Sequence, residues 1–490
     1  MPMELLRSSG DDLRGELLAM GVEIDPTAKA LLANYLQAKP PKKQMLCATQ
    51  VGWDGDSFVL PDAVIGPRAG EVIFQSGERA GEDHTQAGTL EQWRTEIAGR
   101  AVSNPLLMLA LSGAFAGPML ARCNAEGGGL HLVGDSSTGK TTAIEAACSV
   151  WGGANFRRSW RATANGMEGA AASFNDCLLA LDEISECNPQ EVGTIVYSLG
   201  NGVGKQRANR SGGARPITRW RCFVLSSGER SIGTTMMEGG HRIKAGQEMR
   251  LLDIPAARRY GAWDDLHGAS TAAAFSDAIK RAATSHYGLA GRAFLKRLTI
   301  DKRDFCARLE KLKALPQFQL SDTEGQVKRA AARFALLALA GELAAEYGVT
   351  EWPEGAATDA AAELFSLWLS HRGRGNDERR QIAERLADFI EAHGDSRFSD
   401  ANDEGGLVVR DRAGWWQDDG QGRIYWLTAA GLRGALKGFD FNRALDTLQE
   451  IGALAVPAGG ERAKPKRFDG GRVIKVYPIA ANKLDLDHGA

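Results

Sequence analysis

Residues 134–141 have the types and spacing of a loop that binds phosphate groups. They match the pattern G-x-x-x-x-G-K-[ST] and are, in order, Gly134, Asp135, Ser136, Ser137, Thr138, Gly139, Lys140 and Thr141. In such loops, backbone N–H groups face the phosphates at a helix N-terminus, where the helix dipole favours negative charge. We expect these residues and Thr142 to bind ATP. Lys140 would reach the β- and γ-phosphates, and the Thr141 hydroxyl would bind Mg²⁺.

Two carboxylates follow an apolar run further along the chain. Residues 177–181 are Cys-Leu-Leu-Ala-Leu, and Asp182 and Glu183 come next. A continuous apolar run predicts a strand buried on both faces, and ligand groups gather at the carboxyl end of such a strand. We expect Asp182 to hold Mg²⁺ and Glu183 to orient and deprotonate the attacking water of ATP hydrolysis. The alternative is that the pair merely ends a strand at the surface.

A third apolar run, residues 220–225, ends in Ser226 and Ser227. A polar residue at that strand end would sense the γ-phosphate, and either serine could do so, with Ser227 preferred. Further on, Arg250 precedes another apolar run and is predicted to be the finger that enters a neighbouring subunit's site, with Arg242 as second choice. Each of these arginines could also be an ordinary surface residue.

A basic segment lies between the second and third apolar runs. Residues 189–230 contain seven lysines and arginines against two glutamates, in a chain of net charge −2. Polar strands around residues 209–213 predict a β-hairpin that would grip a nucleic-acid backbone without reading sequence. The candidate contacts are Lys205, Arg207, Arg210 and Arg215. The alternative is a solvated loop, or one that contacts acidic residues of another subunit.

The elements around these residues predict an α/β fold with several parts. Strands alternate with helices over residues 89–260, which indicates a parallel sheet covered on both faces. Residues 261–370 form an alanine-rich helical lid, in which Arg329 or Arg333 would be a second phosphate sensor or a solvated surface residue. The remaining parts are 1–88, a small α+β domain or an extension of the core; 371–378, a linker; 379–482, a winged helix; and 483–490, a tail.

The winged-helix prediction depends on helices followed by two strands with a basic connection. Strands are predicted at residues 454–457 and 472–478. Lys464, Lys466 and Arg467 lie between them, a composition that suits phosphate contacts. The alternative is a winged helix that binds protein.

The composition limits the class of protein. At 490 residues and 43% apolar content, the chain is long enough for about three domains. Near-neutral net charge means that nucleic acid must be bound by local patches. The seven cysteines form no C-x-x-C pair, which indicates reduced thiols in a cytoplasmic protein. The longest apolar stretch, 106–120, is too short to span a bilayer, so we expect it to be a helix under the core and expect no membrane association.

These motifs resemble a family of ATPases from phages and integrative elements, the domain of unknown function number 927. The resemblance covers residues 3–369 and depends on 52–53, 58–61, 88–90, Trp93, 134–141, 149–152, 181–184, 201–205, 225–229 and 250–255. The family includes replication helicases of staphylococcal cassette elements, which resemble minichromosome-maintenance and superfamily-three helicases. It implies an AAA+ core with an N-terminal domain and a C-terminal winged helix. It assigns Walker roles to Lys140, Thr141, Asp182 and Glu183, the sensor to Ser227 and the finger to Arg250.

Two departures from the family accompany this resemblance. The sequence starts inside the family's usual N-terminal region, so that a primase-like or loading domain would be absent, truncated or encoded separately. Two serines stand where many helicases have asparagine as sensor. We therefore predict a hexameric ring ATPase that uses Mg-ATP to unwind or move along DNA. The rival is an ATP switch that does not translocate and binds DNA or a partner through its winged helix. A metabolic kinase would leave Glu183 and the basic segments unexplained.

Overall fold

The computed structural model describes residues 3–6, 10–25, 27, 31–39, 44–75, 83–206, 217–239, 249–319, 325–372, 377–402, 409–418, 420, 422–439, 441–454, 461–468 and 472–484. The chain forms two compact units. Unit 1 comprises Met1–Thr235 and Ala245–Leu367, and unit 2 comprises Met236–Lys244 and Trp368–Ala490.

Helices and strands are numbered in chain order. Up to the predicted loop they are α1 (Asp11–Ala19), α2 (Leu31–Ala38), β1 (Leu46–Ala48), β2 (Gly52–Asp54), β3 (Ser57–Val59), β4 (Val64–Ile65), β5 (Val72–Phe74), α3 (Leu90–Trp93), α4 (Pro105–Arg122) and β6 (Gly128–Val133). They continue with α5 (Lys140–Ser149), β7 (Arg158–Ser159), α6 (Ala164–Ser173), β8 (Leu178–Asp182), α7 (Pro189–Asn201), β9 (Phe223–Gly228), α8 (Ile232–Glu238) and β10 (Leu251–Pro255).

Helices dominate the next part of the chain. They are α9 (Ala272–Ser285), α10 (Leu289–Leu298), α11 (Phe305–Lys313), α12 (Gly325–Glu346), α13 (Ala356–Arg372) and α14 (Asp377–His393). The last elements are β11 (Phe398–Asp400), β12 (Gly414–Asp418), β13 (Arg423–Thr428), α15 (Ala429–Ala435), α16 (Phe441–Glu450), β14 (Lys464–Phe468) and β15 (Arg472–Ala480).

The centre of unit 1 is a five-stranded parallel sheet with strand order β10-β6-β9-β8-β7. β8 and β9 are apolar because both of their faces are covered, as parallel strands require. α4 approaches this sheet closely: a Cβ atom on Gly117 would lie 2.5 Å from the backbone carbon of Cys177. The predicted α/β fold with a parallel sheet and helices is confirmed.

α4 is the helix predicted from the longest apolar stretch. Within the described residues it is the one helix long and apolar enough to cross a membrane, but 83% of it is buried inside the protein. Fifteen consecutive positions, Leu106–Leu120, are buried. Its apolar residues are therefore accounted for by packing in the core of unit 1.

The boundary predicted at residue 88 does not separate a domain from the core. β2, β3 and β4 form a small antiparallel sheet that packs on the same core as the parallel sheet. The Trp53 indole N–H donates to the Pro118 carbonyl of α4 (2.9 Å), and Phe58 stacks on Trp151 with ring centroids 6.3 Å apart. Of the two alternatives, the extension of the core therefore fits residues 44–75.

Helices extend into both ends of the linker predicted at residues 371–378, of which 373–376 lie outside the described residues. α13 continues to Arg372 and α14 begins at Asp377. The polar composition that suggested a linker does not prevent helix formation, because arginine and glutamate are good helix formers. The helical lid predicted at 261–370 corresponds to α9–α13. Of the predicted tail, residues 485–490 lie outside the described residues.

Unit 2 contains a five-stranded sheet with order β11-β12-β13-β15-β14. β11 and β12 are parallel, and the other neighbours are antiparallel. Residues of α14, α15 and α16 pack with one face of this sheet in a core that includes Ile382, Leu386, Leu432, Leu448, Tyr425, Leu427 and Ile479.

The basic residues predicted to connect the two strands of the wing lie on a strand themselves, because 464–467 belong to β14. In the predicted first strand, Leu454 forms an isolated bridge with Ile479, and residues 455–457 lie outside the described residues. Lys464, Lys466 and Phe468 are more buried than Pro465 and Arg467, and this period of two suits a strand with one buried and one exposed face.

Candidate functional site

The loop between β6 and α5 has the backbone that its glycines predict. Gly139 directly precedes α5 and has a φ of 111°, in the left-handed region. A Cβ atom there would lie 2.8 Å from Cζ2 of Trp263, so only glycine fits without rearrangement. The loop is also held from one side, because the Ala262 N–H donates to the Thr138 carbonyl (2.7 Å). The predicted strand–loop–helix is therefore present.

Lys140 occupies the first position of α5 and turns its side chain back into the loop. Its Nζ donates to the carbonyl oxygens of Gly134 (2.7 Å) and Asp135 (2.6 Å). Burial lowers its pKa, and four nearby carboxylates, including those of Asp182 and Glu183, oppose this effect. A largely buried ammonium group at a helix N-terminus is well placed to pair with a phosphate. Thr142, in contrast, is buried within α5.

Asp182, at the carboxyl end of β8, is where the predicted metal-binding residues meet. Its Oδ1 accepts hydrogen bonds from Thr141 Oγ1 (3.2 Å) and Ser227 Oγ (2.6 Å). Three segments that are distant in sequence therefore converge on one carboxylate oxygen. The parallel sheet produces this convergence, since the carboxyl ends of β6, β8 and β9 lie on one edge.

The oxygen atoms around Asp182 suit Mg²⁺. A carboxylate and a hydroxyl are hard ligands, and Mg²⁺ usually takes one or two carboxylates and completes its shell with water and substrate phosphates. Within the described ranges, no cluster of three or more histidine, cysteine, aspartate or glutamate side chains could hold a metal ion. Thr141 and Asp182 would therefore hold Mg²⁺ together with nucleotide.

Glu183 has an unusual backbone for a residue with a side chain. Its φ is 57°, in the left-handed region, and its N–H donates to Ser227 Oγ (3.2 Å). Its carboxylate accepts from the Ser185 hydroxyl (2.7 Å). Non-glycine residues in this region cost about 1–3 kcal/mol and cluster at functional sites.

The two serines near the end of β9 have different surroundings. Ser227 lies between Asp182 and Glu183, as described above. Ser226 points into the core, where its hydroxyl bonds His131 Nδ1 (2.8 Å) and accepts from the Trp160 indole N–H (2.8 Å). Burial lowers the pKa of His131 to about 4, so this network holds a neutral imidazole. The geometry therefore favours Ser227 over Ser226 as the sensor.

Arg157 is a site residue that the sequence did not suggest. It precedes β7, a two-residue edge strand, and its Nη1 donates to Asp182 Oδ2 (2.9 Å) and to Glu145 Oε1 (2.9 Å). A strand this short leaves no periodic signal, and one arginine among many does not stand out. Only the pairing of β7 with β8 brings Arg157 beside Asp182.

Arg250 lies at the opposite edge of the sheet from the loop. It precedes β10, its carbonyl accepts from the Gly129 N–H (2.8 Å), and its guanidinium contacts Asn201 and lies 4.7 Å from the Tyr197 ring centroid. β6 has six residues and thus spans roughly 20 Å. Arg250 therefore cannot reach nucleotide held by its own loop. Arg242 lies outside the described residues.

Arg329 and Arg333, the two candidates for the second phosphate sensor, do not lie near the loop of their own subunit. Arg333 is buried at the same edge as Arg250, where it donates to the carbonyls of Met249 (2.7 Å) and Gly127 (3.3 Å). Arg329 is exposed and lines a cavity of about 520 Å³ next to Glu126, at that edge too. The helix that carries both residues, α12, packs with α4, and this packing determines where they lie.

Arg333 should contribute more to stability than Arg329. Burial lowers the Arg333 pKa to about 10, and loss of this side chain would remove the donor to the buried Met249 carbonyl and to the partly buried Gly127 carbonyl. We expect Arg333→Met to lower the free energy of unfolding by about 3 kcal/mol. Arg329→Met should change it by less than about 0.5 kcal/mol. Urea denaturation measures both, and equal effects would contradict the structural role of Arg333.

The residues that flank the predicted basic hairpin lie side by side. Val203 pairs antiparallel with Arg219, the Gly204 N–H donates to the Thr218 carbonyl (2.9 Å), and the Lys205 N–H donates to the Glu168 carboxylate (3.3 Å). Lys205 itself is exposed. Arg207, Arg210 and Arg215 lie outside the described residues.

The three basic residues predicted for the wing do not form one surface. Strand alternation puts Lys464 and Lys466 on one face of β14 and Arg467 on the other. The Lys466 ammonium lies 3.6 Å from the centroid of the Trp426 ring and donates to Gln417 Oε1 (2.5 Å), and burial lowers its pKa. A role for Lys466 in contacting phosphates is therefore not supported, whereas Arg467 is exposed.

Comparison with protein families agrees with the motifs. Residues 1–219 match the model of the family described as "Domain of unknown function (DUF927)". The match covers 219 of the 490 residues. The DUF927 region contains the loop, Asp182, Glu183 and Arg157, and it ends before Ser227 and Arg250. The resemblance predicted from the sequence is therefore confirmed.

Comparison with solved structures covers nearly the whole chain. A structure described as "SCCmec type IV Cch - active helicase" matches with a TM-score of 0.67 and 20% sequence identity, over 99% of this chain and 89% of that one. This chain therefore shares the fold of that structure. No curated protein matches the sequence.

Proposed function

We propose that this protein is an AAA+ ATPase that couples Mg-ATP hydrolysis to unwinding of DNA or movement along it. The observation that carries the proposal is the meeting of Thr141, Asp182 and Ser227 beside the Lys140 loop, with Glu183 next to them. The phosphates, the metal ion and the attacking water would therefore each be bound by different side chains. A kinase does not need a residue that activates water, so hydrolysis is the better explanation.

The strand order supports an additional-strand ATPase. β9, with Ser227 at its end, lies between the loop strand β6 and the Asp182 strand β8. Residues from both neighbours of β9 can therefore act on one γ-phosphate. The α9–α13 helices would be the lid of the AAA+ core.

Each residue then has a role in the reaction. Lys140 and the loop N–H groups bind the phosphates, and Thr141 and Asp182 hold Mg²⁺, which would neutralise charge on the β- and γ-phosphates. Glu183 accepts a proton from water as it attacks the γ-phosphorus. Ser227 donates to Asp182 and accepts from the Glu183 backbone, so it can link the metal-binding group to the group that activates water.

The position of Arg250 supports ring assembly. Because this residue lies at the edge of the sheet remote from its own loop, it can stabilise transferred phosphoryl charge only in another subunit. A closed ring, most simply a hexamer, supplies every site with such a neighbour. A single subunit would then lack a complete site.

DNA is the proposed substrate for translocation. Lys205 is exposed in the basic segment, and contacts from the predicted hairpin to phosphates would be independent of sequence. The unit 2 sheet with α14–α16 would be a winged helix, with Arg467 as its candidate phosphate contact. The fold shared with a structure described as an active helicase supports this role. We further propose a cytoplasmic replication protein of a mobile element that works with a separately encoded primase or loader.

One set of measurements tests the proposal with purified protein. We expect single-stranded DNA to stimulate ATP hydrolysis, a forked duplex to be unwound, and particle mass to indicate a ring when nucleotide and DNA are present. Stimulation should weaken as salt rises, because phosphate contacts release counterions. Lys140→Ala is the control that lacks nucleotide binding. Hydrolysis that is indifferent to DNA, in a protein that stays monomeric with nucleotide, would support the ATP switch instead.

A further inference from the structure

Arg157 joins two carboxylates through a single nitrogen atom. Its Nη1 lies 2.9 Å from Oδ2 of Asp182, at the end of β8, and 2.9 Å from Oε1 of Glu145, on the helix that follows the loop. The Asp182 side chain is 17% exposed and that of Arg157 is 36% exposed. The contact is thus at the rim of the site, where the guanidinium is still accessible to water.

Arg157 completes the set of bonds that orient Asp182. Thr141 and Ser227 both donate to Oδ1, and Arg157 donates to Oδ2. A carboxylate bonded on both oxygens cannot rotate about its Cβ–Cγ bond without losing a partner. Oδ1 therefore stays directed toward Thr141 and the loop.

The backbone near Arg157 is held against the same strands. The Trp160 N–H donates to the Asp182 carbonyl (3.3 Å), and its indole N–H donates to Ser226 Oγ (2.8 Å). On the other side, Arg158 forms an ion pair with Asp83 (2.6 Å). The backbone of Arg157 is thus fixed by its neighbours, and this fixed backbone directs the side chain toward Asp182.

The negative charge of Glu145 reduces the repulsion between Arg157 and a metal ion bound at Asp182. A lone guanidinium next to a divalent ion would repel it, but Glu145 accepts from the same nitrogen and offsets this charge. Outer partners of this kind fix ligand orientation at metal sites, and their loss typically lowers metal affinity or activity.

We infer that Arg157 is a positioning residue that holds Asp182 in the orientation needed to bind the metal of a metal–nucleotide complex. The inference deepens the proposed function and rests on it. Glu145, on the loop helix α5, accepts from the same Arg157 nitrogen and so links α5 to the strand that carries Asp182.

Metal-dependent binding of a fluorescent, non-hydrolysable ATP analogue tests the inference in the full-length protein. We expect Arg157→Ala to raise the Mg²⁺ concentration at half-saturation by about 10–100-fold. Arg157→Lys should recover much of this loss, because one nitrogen makes both native bonds. Arg161→Ala, which removes an exposed arginine of the same segment, is the matched control and should behave as the wild type.

The possible outcomes are distinct. Unchanged or tighter Mg²⁺ dependence in Arg157→Ala would overturn the inference, because the arginine would then act by charge alone or not at all. A wild-type protein that binds no nucleotide at any Mg²⁺ concentration would instead refute the proposed function. Thermal melting without ligand shows whether a variant is folded, and Glu145→Gln gives a second measure: a folded variant with wild-type Mg²⁺ dependence would also count against the inference.

Discussion

Replacing Glu183 with glutamine should reduce the rate of ATP hydrolysis by about 10²–10⁴-fold while leaving nucleotide affinity close to that of the wild type. Glutamine has the same shape but cannot accept a proton from water. The loop, Lys140 and Asp182 remain, so binding is preserved. Steady-state phosphate release gives the rate, and equilibrium binding of a fluorescent ATP analogue gives the affinity.

A neighbouring carboxylate provides the control for this prediction. Glu229 follows the sensor strand β9 and, like Glu183, acts electrostatically on Lys140. Proximity to the lysine is therefore not what distinguishes Glu183, whereas its left-handed backbone and its bond to Ser227 are. Glu229→Gln should retain most of the activity. If the two substitutions reduced hydrolysis equally, or if only Glu229→Gln did, Glu183 would not be the base.

Arg250→Ala should lower ATP hydrolysis by roughly 10³–10⁵-fold without weakening nucleotide binding. The finger stabilises charge that develops only as the phosphoryl group is transferred, so its loss affects the rate and not the ground state. Phosphate release at saturating Mg-ATP measures this effect. Arg281→Ala, an exposed arginine of the helix α9, is the control.

Mixing two inactive variants separates a finger in trans from a structural role. In an assembly of Arg250→Ala and Glu183→Gln subunits, some Arg250→Ala subunits have an intact Glu183 and receive Arg250 from a neighbour. Co-expression with two different tags should therefore restore part of the activity that each variant lacks. Mixed assemblies that stay inactive would contradict a finger supplied by the neighbour.

The parts of the site that depend on local chemistry could be predicted from the sequence. Gly139 has a left-handed backbone next to Trp263, which only glycine adopts without rearrangement. The sequence pattern therefore contains a glycine directly before Lys140. The buried strand before Asp182 is recognisable in the sequence as a continuous apolar run. In the same way, the buried helix α4 and the strands of residues 46–74 were recognisable by composition and period.

Other predictions failed where the position of a side chain depends on packing between segments that are distant in sequence. Arg329 and Arg333 belong to a helix whose sequence is equally compatible with any orientation, and its packing against α4 turns both away from the loop. Lys466 was predicted to contact phosphate, but strand alternation puts its side chain on the face of Trp426, and its ammonium group packs over that ring. Residues 371–372 and 377–378, predicted to be part of a linker, are helical despite their polar composition.

By itself, the sequence determined that this chain has a strand–loop–helix suited to phosphate, a carboxylate pair after a buried strand, and an α/β core, because each of these is encoded by residues that are close together. The tertiary structure alone decided which serine faces Asp182, that Arg157 and Glu145 flank it, and which arginines are remote from the loop. These are contacts between distant segments, and they are fixed by strand order and by helix packing on the sheet, which no local pattern specifies.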